Sequence, residues 1–298
     1  MTTRWLLART NIKQTNDYRF ATYDFAYLQD KMTETLITLE NLSDKVCVLT
    51  LNRPEKRNAL SCDLMRELCD NIKTIERDEA KRVLIIRGAG RVFCAGLDLA
   101  EAAKTDDAMK SAKLVGEMLQ TVYDSRLITI AAVHGAAIAG GAGLMSACDI
   151  VVAESGTKMG YPEVHRGLVA ALVLGLLCTQ VSRRTARELL LLGEIFDAAR
   201  AEQIGLVNYV CEAGKSFDRA QELAQKVLLG GPKAVELSKH AVNQFTGKDF
   251  RDQISQALDG HLAARDSEEA REGFAAFFEK RPPSWQLPQA GASDEQSN

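Results

Sequence analysis

Residues 134–143 read HGAAIAGGAG, and eight of these ten positions are Gly or Ala. The stretch is not a linker, because flexible linkers are Gly/Ser-rich and run through polar sequence. Here ITIAAV (128–133) precedes it and LMSACDIVVA (144–153) follows it, so both flanks are apolar. Glycine inside a packed core costs conformational entropy relative to alanine. So much bare backbone makes sense if something must approach the main chain closely. The segment predicts a buried strand over 128–133, a sharp turn, an interior helix over 141–147 and a second buried strand from DIVVAE.

A second turn has the same design. RVLIIRG (82–88) predicts a buried strand, and RVFCAGLDLAEA (91–102) follows it with a turn at Ala95-Gly96-Leu97-Asp98. Strand-to-helix turns of this kind leave main-chain N–H groups unpaired where the helix dipole favours negative charge. Two such donors converging on one point could hold a developing oxyanion. Tight strand–helix packing alone would also account for either turn taken singly.

The alternation LITLE and KVCVLTLN around NLSD predicts a β-hairpin. Helical spacing behind Ser61 predicts a capped helix to Asp78, and 106–125 predicts another. Beyond Leu168 the runs are helical, at 216–229, 232–245, 249–264 and 268–278, with one strand-like interruption at 206–211. Strand–helix alternation followed by helices predicts an α/β fold with a helical C-terminal region. Residues 1–31 read as an unassigned extension ahead of Met32, and QLPQAGASDEQSN as a polar tail.

Composition excludes several classes. The chain has 298 residues with 37 basic and 40 acidic side chains, a formal net charge of −3, which makes no electrostatic case for nucleic acid or membrane. No apolar run reaches the ~18 residues needed to span a bilayer. The seven cysteines form no CxxC and predict reduced core thiols in the cytoplasm. The four histidines show no metal-ligand spacing, so no metal is expected. GAGRVF (88–93) begins like a dinucleotide fingerprint but puts Phe93 at the third glycine. There is no P-loop and no GxSxG elbow.

One acid stands out. In KMGYPEVHRGL, Glu163 follows a proline and is the only acid of the segment. It is either an exposed loop carboxylate or a general base whose pKa is raised by burial. Tyr161 and His165 flank it as candidate second polar groups.

RPEKRNALS, FCAGLDL, HGAAIAGGAGL with CDIVVA, PEV with GL, and AAFFEKR resemble, in order and spacing over about residues 34–285, the crotonase (enoyl-CoA hydratase/isomerase) superfamily. The resemblance implies a ββα-spiral core over 32–205 and a helical trimerisation and CoA-lid region over 206–298. It implies a homotrimer or hexamer acting on an acyl-CoA thioester, with no cofactor beyond the CoA of the substrate. Carried over by position, the thioester oxygen would accept the N–H groups of Leu97 and Gly140, and Glu163 would be the acid/base. Acyl-CoA contacts would fall at Lys56, Arg57, Ala59, Ala95, Gly96, Leu97, Asp98, Gly140, Gly141, Phe277 and Lys280. Ala100 stands where some members carry a CoA-binding lysine.

The sequence departs from the family at one important place. Hydratases of the fold generally use two glutamates, and this chain has Gly143 where the first would stand. A single base suits double-bond isomerisation. Hydration of branched enoyl-CoAs, decarboxylation or C–C bond formation at the same site, and a non-catalytic acyl-CoA-binding role stay open.

Overall fold

The N-terminal hairpin sets the edge of the main sheet. Strand β1 (Ile37–Asn41) pairs antiparallel with β2 (Val46–Leu51), and Ser43 Oγ accepts the N–H of Val46 at 3.1 Å in the turn between them. The structure, a computed structural model, describes residues 35–102, 108–245 and 250–285. The N-terminal extension and the polar tail fall outside them. The described residues from 36 onward cluster as one compact unit.

From β2 the sheet continues in parallel through β3 (Val83–Gly88), β4 (Ile128–Val133), β6 (Ile150–Glu154) and β9 (Tyr209–Cys211), in the order β1-β2-β3-β4-β6-β9. Side chains alternate between the two faces, as the period of a strand requires. Leu49, Leu84, Ile86, Ala131 and Val133 turn to one core. Val48, Ile85, Ile130 and Ala132 turn to a smaller one. Both faces are covered, which is why these strands read as continuous apolar runs.

On the larger face lie α1 (Cys62–Ile75), α3 (Ala108–Tyr123) and α4 (Gly140–Ser146), with the one-turn α2 (Leu99–Ala102) between α1 and α3 in sequence. Ser61 caps α1 by accepting the Leu64 N–H at 3.3 Å, and Leu64, Met65, Leu68 and Ile72 are fully buried along its inner stripe. Each such side chain stabilises the fold by about 1.5–3 kcal/mol, so Leu68→Ala would cost about 2–5 kcal/mol.

Three short strands form a second sheet that sequence reading does not anticipate. Strand β5 (Ala136–Ile138) pairs with β7 (Lys158–Gly160) in parallel, and β7 pairs antiparallel with β8 (Ile195–Asp197). At three residues each, they are too short to show a period. The helices that follow are α5 (Ala171–Gln180), α6 (Arg183–Leu192), α7 (Ala198–Gln203), α8 (Ser216–Leu228), α9 (Pro232–Phe245), α10 (Phe250–Arg265) and α11 (Glu268–Glu279). Strand β9 and helix α8, both beyond residue 205, belong to the sheet and its smaller core, where α8 contributes Ala220, Leu223 and Ala224. Helix α10 instead packs on α3 and α5. No helix among the described residues is long and apolar enough to cross a membrane.

Candidate active site

The two glycine-bearing turns meet. Cys94 N–H donates to Ala136 O at 3.0 Å, Ile138 N–H to Cys94 O at 3.1 Å, and Leu60 N–H to Gly96 O at 2.8 Å, so the segments are zipped side by side. A Cβ on Gly96 (φ +91°) would lie 2.7 Å from Ile138 O and 3.5 Å from the Gly140 nitrogen. A Cβ on Gly140 would lie 3.8 Å from the Leu97 nitrogen. Among the described residues neither the Leu97 nor the Gly140 N–H has a backbone acceptor, although the Asp98 and Ala139 N–H groups beside them do. Gly140 opens α4, whose dipole adds positive potential at that point. Ala139, which precedes it, has φ 52° and ψ −120°, a conformation that costs an alanine about 1–3 kcal/mol.

Asn58 supports the first turn and went unnoticed in the sequence. Its side chain is fully buried; Nδ2 donates to Ala89 O and Val92 O at 2.9 Å each, and Oδ1 accepts the Arg53 N–H at 3.0 Å. A lone Asn in a loop carries no pattern that would reveal such bracing.

Glu163 lies in a 3-10 segment, Pro162–Arg166, held by Leu168 N–H donating to Glu163 O at 3.1 Å. Helix α11 presses on this segment from outside. Its Gly273 meets the Arg166 carbonyl so closely that no Cβ would fit there. The carboxyl Oε2 of Glu163 is buried without a hydrogen-bond partner. Burial pushes its pKa up to about 7, against the lowering pull of its own backbone N–H and of Arg166.

A cavity of about 110 Å³ joins these features. Ala95, Leu97, Ile138, Ala139, Gly140 and Glu163 line one part of it; Leu99, Val115, Leu168, Val169, Ala170, Leu172 and Val173 give it an apolar wall. Two cationic or basic side chains complete it, Arg166 and His261. His261, on α10, lies 3.3 Å through Nδ1 from Val169 O, while Nε2 is buried without a partner. Desolvation, with the nearby Arg265 charge, lowers its pKa although the Val169 carbonyl raises it. With Nδ1 as donor, neutral His261 presents Nε2 as an acceptor.

The flanking residues expected to help Glu163 do not line the cavity. Tyr161 is buried with its hydroxyl 3.4 Å from Ser146 Oγ, and His165 Nε2 is 2.8 Å from Leu192 O. Arg166 and His261 stand there instead. Helical or loop spacing cannot reveal His261, because the contact joins segments about a hundred residues apart.

The remaining expected residues are distributed unevenly. Gly96 and Gly141 lie behind the lining, Gly141 tight against Cys94 O. Asp98 is engaged elsewhere: Oδ2 accepts from Arg53 Nη1 at 2.7 Å and Oδ1 from Ala100 N–H at 3.1 Å, capping α2. Burial raises its pKa, but Arg53 and the capping amides outweigh it and hold the carboxyl below its usual value. Lys56 and Arg57 are exposed in the loop before α1, and Ala59 O accepts from Arg53 Nη1 at 3.2 Å. Phe277 and Lys280 line an outer groove with Pro162, His165 and Arg166.

Two unpaired amides beside a single buried acid at one end of an apolar cavity suit a carbonyl compound with a hydrocarbon tail. Comparison with known proteins agrees. Residues 41–288 match the family model for enoyl-CoA hydratase/isomerase. A provisionally named enoyl-CoA hydratase of Thermus thermophilus is 37% identical over 244 residues, 80% of this chain and 96% of the relative. The short-chain-enoyl-CoA hydratase of Clostridium acetobutylicum is 32% identical over 241 residues, 80% of this chain and 92% of the relative. A crystal structure of an enoyl-CoA hydratase from Mycobacterium avium superposes with a TM-score of 0.77 at 33% identity, covering 85% of this chain and all of that one. The chain belongs to the enoyl-CoA hydratase/isomerase family, with the crotonase fold, and is an acyl-CoA enzyme.

Proposed function

We propose that the enzyme stabilises a thioester enolate, with Leu97 N–H and Gly140 N–H as the oxyanion hole and Glu163 as a single acid/base. The observation that carries this is the unpartnered Glu163 Oε2, in an acid with a pKa near 7, in the cavity that the two unpaired amides also line. A base poised near neutrality accepts and returns a proton with similar ease. Acting on a 3-enoyl-CoA, Glu163 would take the α-proton, the electron pair would pass to the thioester oxygen, and the same proton would return to the γ-carbon to give the 2-enoyl-CoA.

Hydration is the second reading, favoured by the hydratase names of the relatives and by the free acceptor Nε2 of His261. Water would lose a proton to Glu163 as its oxygen bonds the β-carbon, and that proton would then go to the α-carbon.

The CoA portion is assigned to Lys56, Arg57, Phe277 and Lys280. The seven free thiols suit a reducing compartment, the cytoplasm. Exposed Leu191, Leu192 and Ile195 offer apolar surface for a homotrimer or hexamer, which light scattering would measure. The deciding experiment is product analysis on 2-enoyl-, 3-enoyl- and malonyl-type CoA esters. Interconversion of the enoyl esters supports isomerisation and 3-hydroxyacyl product supports hydration; decarboxylation alone, or no turnover, would overturn the acid/base enolate reading.

A further inference from the structure

Most half-buried arginines of this chain are saturated. Arg53 pairs with Asp98 at 2.7 Å; Arg82 donates to Leu228 O and Gly230 O; Arg126 donates to Glu76 O, Asp78 O and Lys81 O. Arg166 differs. Among the described residues it makes no hydrogen bond or ion pair, its Nε is buried and unpartnered, and its guanidinium carbon stands 5.1 Å from the centroid of the Phe277 ring. A buried guanidinium N–H without an acceptor is costly unless a ligand supplies one. The neighbouring carboxyl, Glu163, is within electrostatic reach of Arg166 but outside ion-pair distance, since no such pair forms among the described residues.

Arg166 lines the acyl cavity together with the hydrocarbon side chains of Leu99, Val115, Leu172 and Val173. A purely apolar acyl chain would cover those side chains and leave the Arg166 Nε–H without an acceptor. A carboxylate matches the fork of a guanidinium and bonds it with charge assistance. Resting on the enolate reading, we propose that Arg166 receives a carboxylate carried on the acyl chain, so that the preferred substrates are CoA monothioesters of unsaturated dicarboxylic acids. Arg166 is then a specificity residue, while the backbone amides hold the thioester end and Glu163 acts on the carbons between.

The test compares the CoA monothioesters of 2- and 3-hexenedioic acid with 2- and 3-hexenoyl-CoA, so that either hydration or isomerisation gives a signal. The expected result is a preference of about tenfold or more in kcat/KM for the dicarboxylic esters, expressed mainly in KM. Arg166→Gln should bring the ratio close to one, and Arg166→Lys should keep part of it. A wild-type ratio near one would overturn the proposal, as would an unchanged ratio in Arg166→Gln. Equal rises in KM for both ester types in that variant would also overturn it, assigning Arg166 to the CoA phosphates through the outer groove. If no ester turns over, the enolate reading falls by itself. The melting temperature of the wild type then judges Arg166, and it should rise more with the dicarboxylic ester than with hexenoyl-CoA.

Discussion

Gly143 and Glu163 are twenty residues apart, and the family's two-carboxylate chemistry would place an acid at each; the chain treats them in opposite ways. At Glu163 the acid is kept, buried and unpaired, with its pKa pushed up to about 7. At Gly143 the space that a Cβ would take is already occupied by Val173 Cγ1, with Leu119 Cδ2 at 3.4 Å. Val173 also lines the cavity. The missing carboxylate has therefore not left a hole; a neighbouring hydrocarbon has closed it. That makes the one-acid site a packed arrangement, and a second acid at position 143 requires Val173 to move.

The largest effect should come from the retained acid. Glu163→Gln keeps the shape of the side chain and removes the base, and turnover should fall by about 10²–10⁴ in a steady-state assay, while CoA esters still raise the melting temperature. Near-normal turnover would shift the acid/base role to His261.

On the other side of the comparison, Gly143→Glu alone should destabilise the fold by about 3 kcal/mol or more in denaturant unfolding, from overpacking against Val173 and burial of an acid. Adding Val173→Ala should recover part of that loss. The double variant should also raise the ratio of hydration to isomerisation, because two carboxylates would then share one water. A folded, fully stable single variant would show that Val173 is not the obstacle.

Burial of Glu163 also has a signature in stability. Its pKa lies near 7 in the native state against an ordinary 4.5, so between those values the native state holds a proton that the unfolded state has lost. Stability then falls as pH rises through that window. Glu163→Gln lacks this dependence, so its stability relative to wild type should grow by about 3 kcal/mol from pH 4 to pH 8. A pH-independent difference would mean that the carboxyl is solvated. The smallest effect is expected at the start of the helix that carries Gly143. Ala139→Gly relieves the positive φ and should stabilise by about 1 kcal/mol, read from the urea midpoint.

Sequence reading found the features set by local rules. The strand over 128–133 and the Ser61 cap were legible because apolar periodicity and capping are short-range. The predicted helices at 216–229, 232–245 and 268–278 lie within one residue of α8, α9 and α11. Gly96 and Gly140 were legible as points of close approach because bare backbone inside apolar sequence sacrifices packing and must be offset by a contact that only it permits. What escaped was set by distant contacts. Strands β5, β7 and β8 are stabilised by each other and are too brief to announce themselves. Val173 fills the place beside Gly143, and His261 reaches the cavity from α10, neither of which leaves a mark in local spacing.

The two idle amides at the cavity also bear on how the molecule exchanges protons with solvent. Cys94, Ile138 and Ala139 each commit an amide hydrogen to a backbone carbonyl, whereas Leu97 and Gly140 do not. Exchange at the first three requires the zipped turns to open. At Leu97 and Gly140 it requires only that water reach the cavity mouth. In deuterated solvent these two positions should lose their protons ahead of Cys94, Ile138 and Ala139, and a bound thioester should slow them while barely altering those three. The floor of the pocket would thus carry its own isotopic record of occupancy, written at two residues 43 positions apart in the chain.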